Sequence, residues 1–479
     1  MANIVMNIAN ILNVEELFGA RPVSTGAGPA KKVRVRYPPS PTGFCHVGTA
    51  RMAILNFLFA KKHGGTIIFR SEDTDKERSR REYEDDIVEQ LKWLGVTWDE
   101  FYRTSERVDS HIDALKRLIK EDKAYVSKEE SKKEAGVMVE VVRLRNAGKI
   151  ITFTDLVRGD ITFDTTELAD FVIARAIDDP LYHLAVVVDD HDMAITHVIR
   201  GEDHISNTPR QILIQEALGY ERPEYAHYPL HLGADKSKLS KRTGDVAVKS
   251  YRERGFLSEA LFNYIALLGW TPPSEREILS IDEMVKEFEL TDLHKSGAIF
   301  DIEKLRWFNR QYLLKLPEAV FAKTASDIMK KELEEREVPW DAAKALKLMA
   351  IVSEHISVWE DLHAQLKEGE YDYFFKSPML DAKTIPGKGG DAENATVHLE
   401  RLKELLAPVS SEQFENPEHI KAAVWEYATK EGRAAVLWPL RYSLTGRERS
   451  PDPFLVASII GKEAVLQRIE AARASVTTV

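Results

Sequence analysis

At 479 residues, with 44% hydrophobic and 30% charged side chains, the chain has apolar material for several packed cores and is too long for a single domain. Its formal net charge of −11 excludes indiscriminate nucleic-acid binding through bulk charge, so an RNA partner would have to be met by local basic surface such as Lys236, Lys238, Lys241 and Arg242. No apolar run approaches the roughly 18 residues of a membrane span, and the single cysteine, Cys45, excludes an internal disulfide and any multi-cysteine zinc site.

Residues 1–30 carry no secretory pattern, and Glu15 and Glu16 fit poorly with an organelle transit peptide. They read as a partly disordered extension, and the expected location is cytoplasmic. The first organised unit is β-α-β. Val33 to Tyr37 reads as a strand; Thr49 to His63 reads as a helix with Met52, Leu55 and Phe59 at helical spacing, closed by Gly64-Gly65; Thr66 to Arg70 is the next strand. Such a crossover puts the strand-to-helix turn at the carboxyl end of a parallel sheet, where open α/β sheets bind ligands.

Residues 106–185 break the alternation and read as an insertion. Tyr125 to Arg145 is charged and reads as irregular, whereas Ile150 to Phe163 and Phe171 to Ala174 have strand-like content. A second β-α-β unit follows: Ile195 to Arg200, a helix opened by Thr208-Pro209 and ended by Gly219, then Tyr225 to Leu232. Beyond residue 246 the character is helical. Leu348, Val352, Ile356 and Trp359 keep one face, Thr384 to Ala395 reads as a long loop, and Asn416-Pro417 opens a helix carrying Ile420, Val424 and Ala428.

Two motifs carry the chemistry. Arg36-Tyr37-Pro38-Pro39-Ser40-Pro41-Thr42-Gly43 leads into His46-Val47-Gly48-Thr49 at the start of a helix, where unpaired backbone N–H groups and the helix dipole favour a phosphate. Far downstream, Lys238-Leu239-Ser240-Lys241-Arg242 supplies cations from a loop. In this order the two resemble the His-x-Gly-His and Lys-x-Ser-Lys-Ser motifs of class I aminoacyl-tRNA synthetases. The runs Phe69 to Asp75, Tyr182 to Asp190 and Thr196 to His204 narrow the resemblance to bacterial-type glutamyl-tRNA synthetases. The likeness is clear from about residue 33 to 315 and looser beyond, where Leu440 to Gly446 is similar to a family element.

The resemblance implies an α/β fold: a Rossmann-type parallel-sheet catalytic domain in two halves (31–105 and 186–245), interrupted by an α+β acceptor-end-binding insertion (106–185). A helical stem-contact domain (246–320) and helical anticodon-binding domains (321–479) would follow. It implies ligation of L-glutamate to tRNA(Glu), through attack of a carboxylate on the α-phosphate of ATP. Magnesium would arrive with ATP, no zinc is expected, and the chain is expected to be a monomer; charging of tRNA(Gln) stays open. ATP would meet Pro39, His46, Gly48, Thr49, Asp203 and the loop Lys238, Leu239, Ser240, Lys241 and Arg242, with His46, Lys238 and Lys241 catalytic. Glutamate would meet Arg36, Ser40, Glu72, Tyr182, Val186, Arg200 and His204, the arginines suiting a carboxylate through their planar fork. Thr49 replaces the second histidine common in the wider class, and Val186 falls where some relatives carry a polar residue.

Plainer readings exist for each feature. A turn glycine explains Gly48, helix capping explains Asp203, and surface ion pairing explains a single arginine. The cluster Glu82, Glu84, Asp85, Asp86 reads as a solvated helix face, and Asp189-Asp190 as the turn after a strand rather than a metal pair. Cys45 stands next to His46, but no base-orienter arrangement supports it as a nucleophile. A glutaminyl-tRNA synthetase would show a Pro-Glu-Pro-Asn type lead and a β-rich C-terminal region. A catalytically silent RNA-binding paralogue would not need both His46 and Lys241.

Overall fold

The first three strands are parallel. β1 (Arg34–Tyr37) pairs with β2 (Thr66–Ser71), setting Arg34 opposite Thr66 and Tyr37 opposite Phe69, and β2 pairs with β3 (Glu100–Arg103). Parallel neighbours need long crossovers, supplied by helices α1 (Val47–Lys62) and α2 (Arg81–Trp93). The computed structural model describes residues 32–75, 77–130, 136–233 and 247–477.

Helix α1 is buried almost all round, because β1 and β2 cover one side and the helix Ser258–Leu267 another. Its stripe of Met52, Leu55 and Phe59 therefore understates the burial. On α2 the acidic cluster is only half solvated, which corrects the sequence reading. Glu82 and Asp85 are exposed, but buried Glu84 accepts from Arg103 at 3.0 Å, and buried Asp86 accepts the Cys45 N–H at 2.7 Å.

After α3 (Val108–Lys120) comes a hairpin of β4 (Ala124–Glu130) and β5 (Met138–Leu144), where an irregular segment was expected over Tyr125 to Arg145. One face of β4 is strongly exposed and carries Lys and Glu, which hides the period-two pattern in the sequence. The hairpin of β6 (Ile150–Asp155) and β7 (Gly159–Asp164) follows. Then β8 (Phe171–Ala176) and β9 (Asp179–Pro180) complete the sheet ordered β4-β5-β8-β9.

Asp189 and Asp190 lie inside helix α4 (Tyr182–Asp192), not in a turn after a strand. The run Val186-Val187-Val188 looks β-like, but all three valines are buried, so no helical stripe shows. Next, β10 (His197–Gly201), α5 (Thr208–Leu218) and β11 (Glu224–Tyr228) form the second parallel unit, with Gly219 in the left-handed conformation (φ 68°) that ends α5. The strand expected to reach Leu232 stops at Tyr228; His231–Leu232 pairs instead with Ala298–Ile299. The insertion is not a detached body. Its β6–β7 hairpin extends the second sheet, with Asp155 opposite Tyr225.

The two half-sheets meet at Thr196. Its backbone N–H donates to the Arg34 carbonyl at 3.0 Å, and its hydroxyl accepts the Arg34 N–H at 2.9 Å. Strand order thus runs β3-β2-β1 and then β10-β11, reversing between β1 and β10, and a reversal of this kind opens a crevice at the strand ends.

Contacts divide the described residues into two compact units that part between Tyr312 and Leu313. The second unit is helical, with Ala392–Leu406 packed on Lys462–Thr477 and Arg433–Thr445. Leu348, Val352, Ile356 and Trp359 are all buried but do not share one helix. The chain breaks after Met349–His355, where Asp361 accepts the Ser357 and Val358 N–H groups and starts Trp359–Lys367. Asn416 caps its helix as expected, accepting from the Glu418 N–H. The expected loop to Ala395 ends sooner, since Asp391 caps a helix from Ala392.

Thr196→Val keeps shape and removes the hydroxyl, leaving the Arg34 N–H without its acceptor. The expected loss is about 1–2 kcal/mol of folding stability in a denaturant titration; no measurable change would mean that the hydroxyl does not join the half-sheets.

Candidate active site

His46 is the N-cap of α1. Its Nδ1 accepts the Thr49 N–H at 3.2 Å, and its Nε2 lies 3.3 Å from Thr49 Oγ1. A ring nitrogen that accepts leaves the hydrogen on the other one, so Nε2 is the donor. Gly48 makes this possible, because a Cβ there would stand 3.0 Å from the ring. The turn is held from behind: Cys45 N–H goes to Asp86, Cys45 carbonyl accepts Val248 N–H at 2.9 Å, and His46 forms an antiparallel bridge with Ala247. Burial, reinforced by Asp86, pushes the Cys45 thiol far up, so it is no nucleophile at neutral pH.

At the opposite end of the crevice three guanidinium groups are buried: Arg36 on β1, Arg70 on β2 and Arg200 on β10. Asp190, reaching in from α4, accepts from Arg70 Nη1 at 2.7 Å and from Arg36 Nε at 3.2 Å, and Glu72 accepts from Arg70 Nη2 at 3.1 Å. The two carboxylates thus pair with Arg36 and Arg70, and neither pairs with Arg200. Burial works against the Asp190 charge, but Arg36 and Arg70 outweigh it and hold the carboxyl below its ordinary range. Burial raises Glu72 despite the same arginines. Arg36 Nη1 has no hydrogen-bond partner among the described residues, and Arg200 has no carboxylate within ion-pair distance there. Burial lowers the pKa of Arg200. An uncompensated buried cation is costly, so this end is built for an anion.

Both ends open into one cavity of about 510 Å³, a size that suits a small ligand. It is lined by Arg36, Pro39, Ser40, His46, Gly48, Thr49, Glu72, Tyr182, Arg200, Asp203 and His204, residues separated widely in sequence. Burial and Glu72 push the Tyr182 hydroxyl up to about 12, keeping it a donor; burial and Arg200 push His204 down to about 4, keeping it neutral. Val186 is not among the residues that line this cavity. One turn beyond Tyr182, it is buried with Leu184 and Val187 in the core. The predicted Lys238, Leu239, Ser240, Lys241 and Arg242, and Lys236, lie outside the described residues.

Four residues that sequence reasoning passed over belong here. Arg70 and Asp190 organise the anion end, although both stood in runs already singled out. Buried Arg51 on α1 donates to the Pro229 and Leu268 carbonyls and lies 5.0 Å over the Tyr228 ring. His227 on β11 backs Arg200. Among the described residues no group of three or more His, Cys, Asp or Glu is arranged to hold a metal ion, and no helix is long and apolar enough to cross a membrane.

The chain is similar to known proteins along most of its length. Residues 32–135 and 127–307 match the family model of the class I tRNA synthetase (E and Q) catalytic domain, and residues 320–473 match an anticodon-binding domain. A glutamate–tRNA ligase of Aquifex aeolicus is 38% identical, covering 91% of this chain and 98% of its own length. That of Desulforamulus reducens is 36% identical over 92% and 99%. A solved glutamate tRNA ligase from Elizabethkingia meningosepticum, in complex with its amino acid, superposes with a TM-score of 0.82 at 33% identity, covering 93% of this chain and 99% of that one. With both signature turns in its sequence, a parallel sheet reversed at β1 and β10 and relatives matching along nearly its whole length, the chain belongs to the glutamate–tRNA ligase family of class I tRNA synthetases.

Proposed function

We propose that the protein ligates L-glutamate to the 3′ end of tRNA(Glu) through a glutamyl-adenylate, using ATP with Mg²⁺ and releasing diphosphate and then AMP. The observation that carries this reading is the excess of buried guanidinium over carboxylate at one end of a cavity whose other end is a phosphate-type helix start. Arg36 and Arg200 hold the substrate's side-chain carboxylate, while Glu72 and Ser40 face its ammonium. The α-carboxylate then lies between this pocket and the His46 turn.

Attack of that carboxylate on the α-phosphate asks little covalent work of the protein; positioning and charge stabilisation dominate. His46 Nε2 and Thr49 donate to phosphate oxygens, Gly48 admits the nucleotide close to the backbone, and Pro39 and Asp203 border it. Lys241, assisted by Lys238 and flanked by Leu239, Ser240 and Arg242, stabilises charge on the departing diphosphate. In the second step the terminal ribose hydroxyl of tRNA attacks the acyl carbon and AMP leaves. The enzyme works as a cytoplasmic monomer, in this reading, with the 106–185 insertion near the acceptor end and the helical region at the anticodon. Charging purified tRNA(Glu) and tRNA(Gln) transcripts with labelled glutamate tests it directly; no glutamyl-tRNA from either transcript would refute it.

Lys241→Ala is expected to slow ATP–diphosphate exchange in the presence of tRNA by about 100-fold or more, since a donor to developing charge is worth about 3 kcal/mol. Near-normal exchange would remove Lys241 from the chemistry.

Arg36→Ala is expected to raise the KM for glutamate by about 100-fold while the KM for ATP barely moves. Arg36→Lys, which keeps the charge and loses the fork, should fall in between. Damage confined to ATP use would put the amino acid elsewhere.

A further inference from the structure

Arg200 is gripped from behind by a buried chain of hydrogen bonds that starts on β6, the strand by which the insertion extends the second sheet. Asp155, at the end of β6, accepts from the Val157 and Arg158 N–H groups on Oδ1, at 3.0 Å each, and faces His227 Nδ1 with Oδ2 at 2.6 Å. Asp155 and His227 are both inaccessible to solvent. His227 Nε2 then meets Arg200 Nε at 3.0 Å, and Thr208 Oγ1 accepts from Arg200 Nη2 at 2.9 Å. Thr208 Oγ1 also lies 3.3 Å from both the His204 carbonyl and His227 Nε2.

The direction of the hydrogens on His227 follows. An ionised Asp155 only accepts, so His227 must donate through Nδ1, and the neutral ring then presents a lone pair at Nε2. That lone pair is what the Arg200 Nε–H needs. In the other tautomer an N–H would point at an N–H, in a place no water reaches. With Nε and one Nη2 hydrogen bound this way, the Nη1 edge of the guanidinium makes no hydrogen bond among the described residues and is left to the cavity that Arg200 lines.

We infer that Asp155 and His227 are positioning residues that fix the His227 tautomer, and through it the plane of the Arg200 guanidinium, so that recognition of the substrate's side-chain carboxylate depends on the β6–β7 hairpin of the insertion. This rests on the reading that Arg200 binds that carboxylate. It adds to that reading a dependence on a strand far from the cavity in sequence, joined to the sheet through the Asp155 and Tyr225 register. A displaced hairpin turns the guanidinium without touching the substrate.

The test is steady-state charging of tRNA(Glu) by the full-length enzyme. Asp155→Asn lets an amide N–H face His227 and releases the tautomer; it is expected to raise the KM for glutamate by about 10- to 100-fold, the range for an unmatched buried donor, with the ATP KM within about threefold. His227→Gln puts an amide oxygen near the place of Nε2 and should recover most of the glutamate affinity, whereas His227→Leu should not. In the background of Arg200→Lys, Asp155→Asn should add little, because both act on one group. Thermal unfolding of each variant separates this from a looser fold, which would raise both KM values and would not be rescued by glutamine. A glutamate KM unchanged in both Asp155→Asn and His227→Leu overturns the relay, while leaving the Arg200 reading intact. A glutamate KM unchanged in Arg200→Lys and Arg200→Ala overturns the Arg200 reading itself.

Discussion

Charge placed where water cannot reach it governs this catalytic unit. Arg36, Arg70 and Arg200 are each buried at the carboxyl edge of the parallel sheets, and buried cations persist only where fixed acceptors and a ligand compensate them. The fold supplies part of the compensation from a distance. Asp190 comes from α4, Glu72 from the end of β2, and the neutral His227 with Asp155 from β11 and β6. What it withholds is a carboxylate partner for Arg200 among the described residues, and that shortfall is what the proposed acidic substrate would fill.

The same logic explains why the site sits at the seam between β1 and β10. Parallel strands buried on both faces bring their ends out on one side, and the reversal of strand order leaves a crevice there that no crossover covers. Thr196 ties the seam, α1 opens from it with His46 as its cap, and α4 closes the other flank with Tyr182 and Asp190. Each half-sheet contributes cations, so neither half alone forms the cavity. The helical unit beyond residue 312 has its own core and its own family match.

Local chemistry was legible in the sequence, and long-range pairing was not. The His46 turn, the Pro209 and Gly219 limits of α5 and the Asn416 cap are written in residues a few positions apart, and each forms as read. Helix α4 was obscured because its buried valines mimic a strand, and β4 because its exposed face is so charged. Asp155, His227 and Arg200 meet across gaps of many residues, so no window of sequence joins them. The broken helix at Ile356 shows a subtler limit: periodic burial was right at every position, yet a capping carboxylate at Asp361 divided the chain. The lysine loop from 238 to 242 is legible only as sequence, since it falls outside the described residues.

The central claim is that buried guanidinium charge selects a side-chain carboxylate over its neutral isostere. The most direct measurement is the ratio of kcat/KM for L-glutamate to that for L-glutamine, with tRNA(Glu) saturating. A polar site left unpaired by the wrong substrate discriminates by about 10⁴-fold, and a ratio of that order is the expected result. A ratio below about 10, the range of a pocket that reads size alone, would contradict the account.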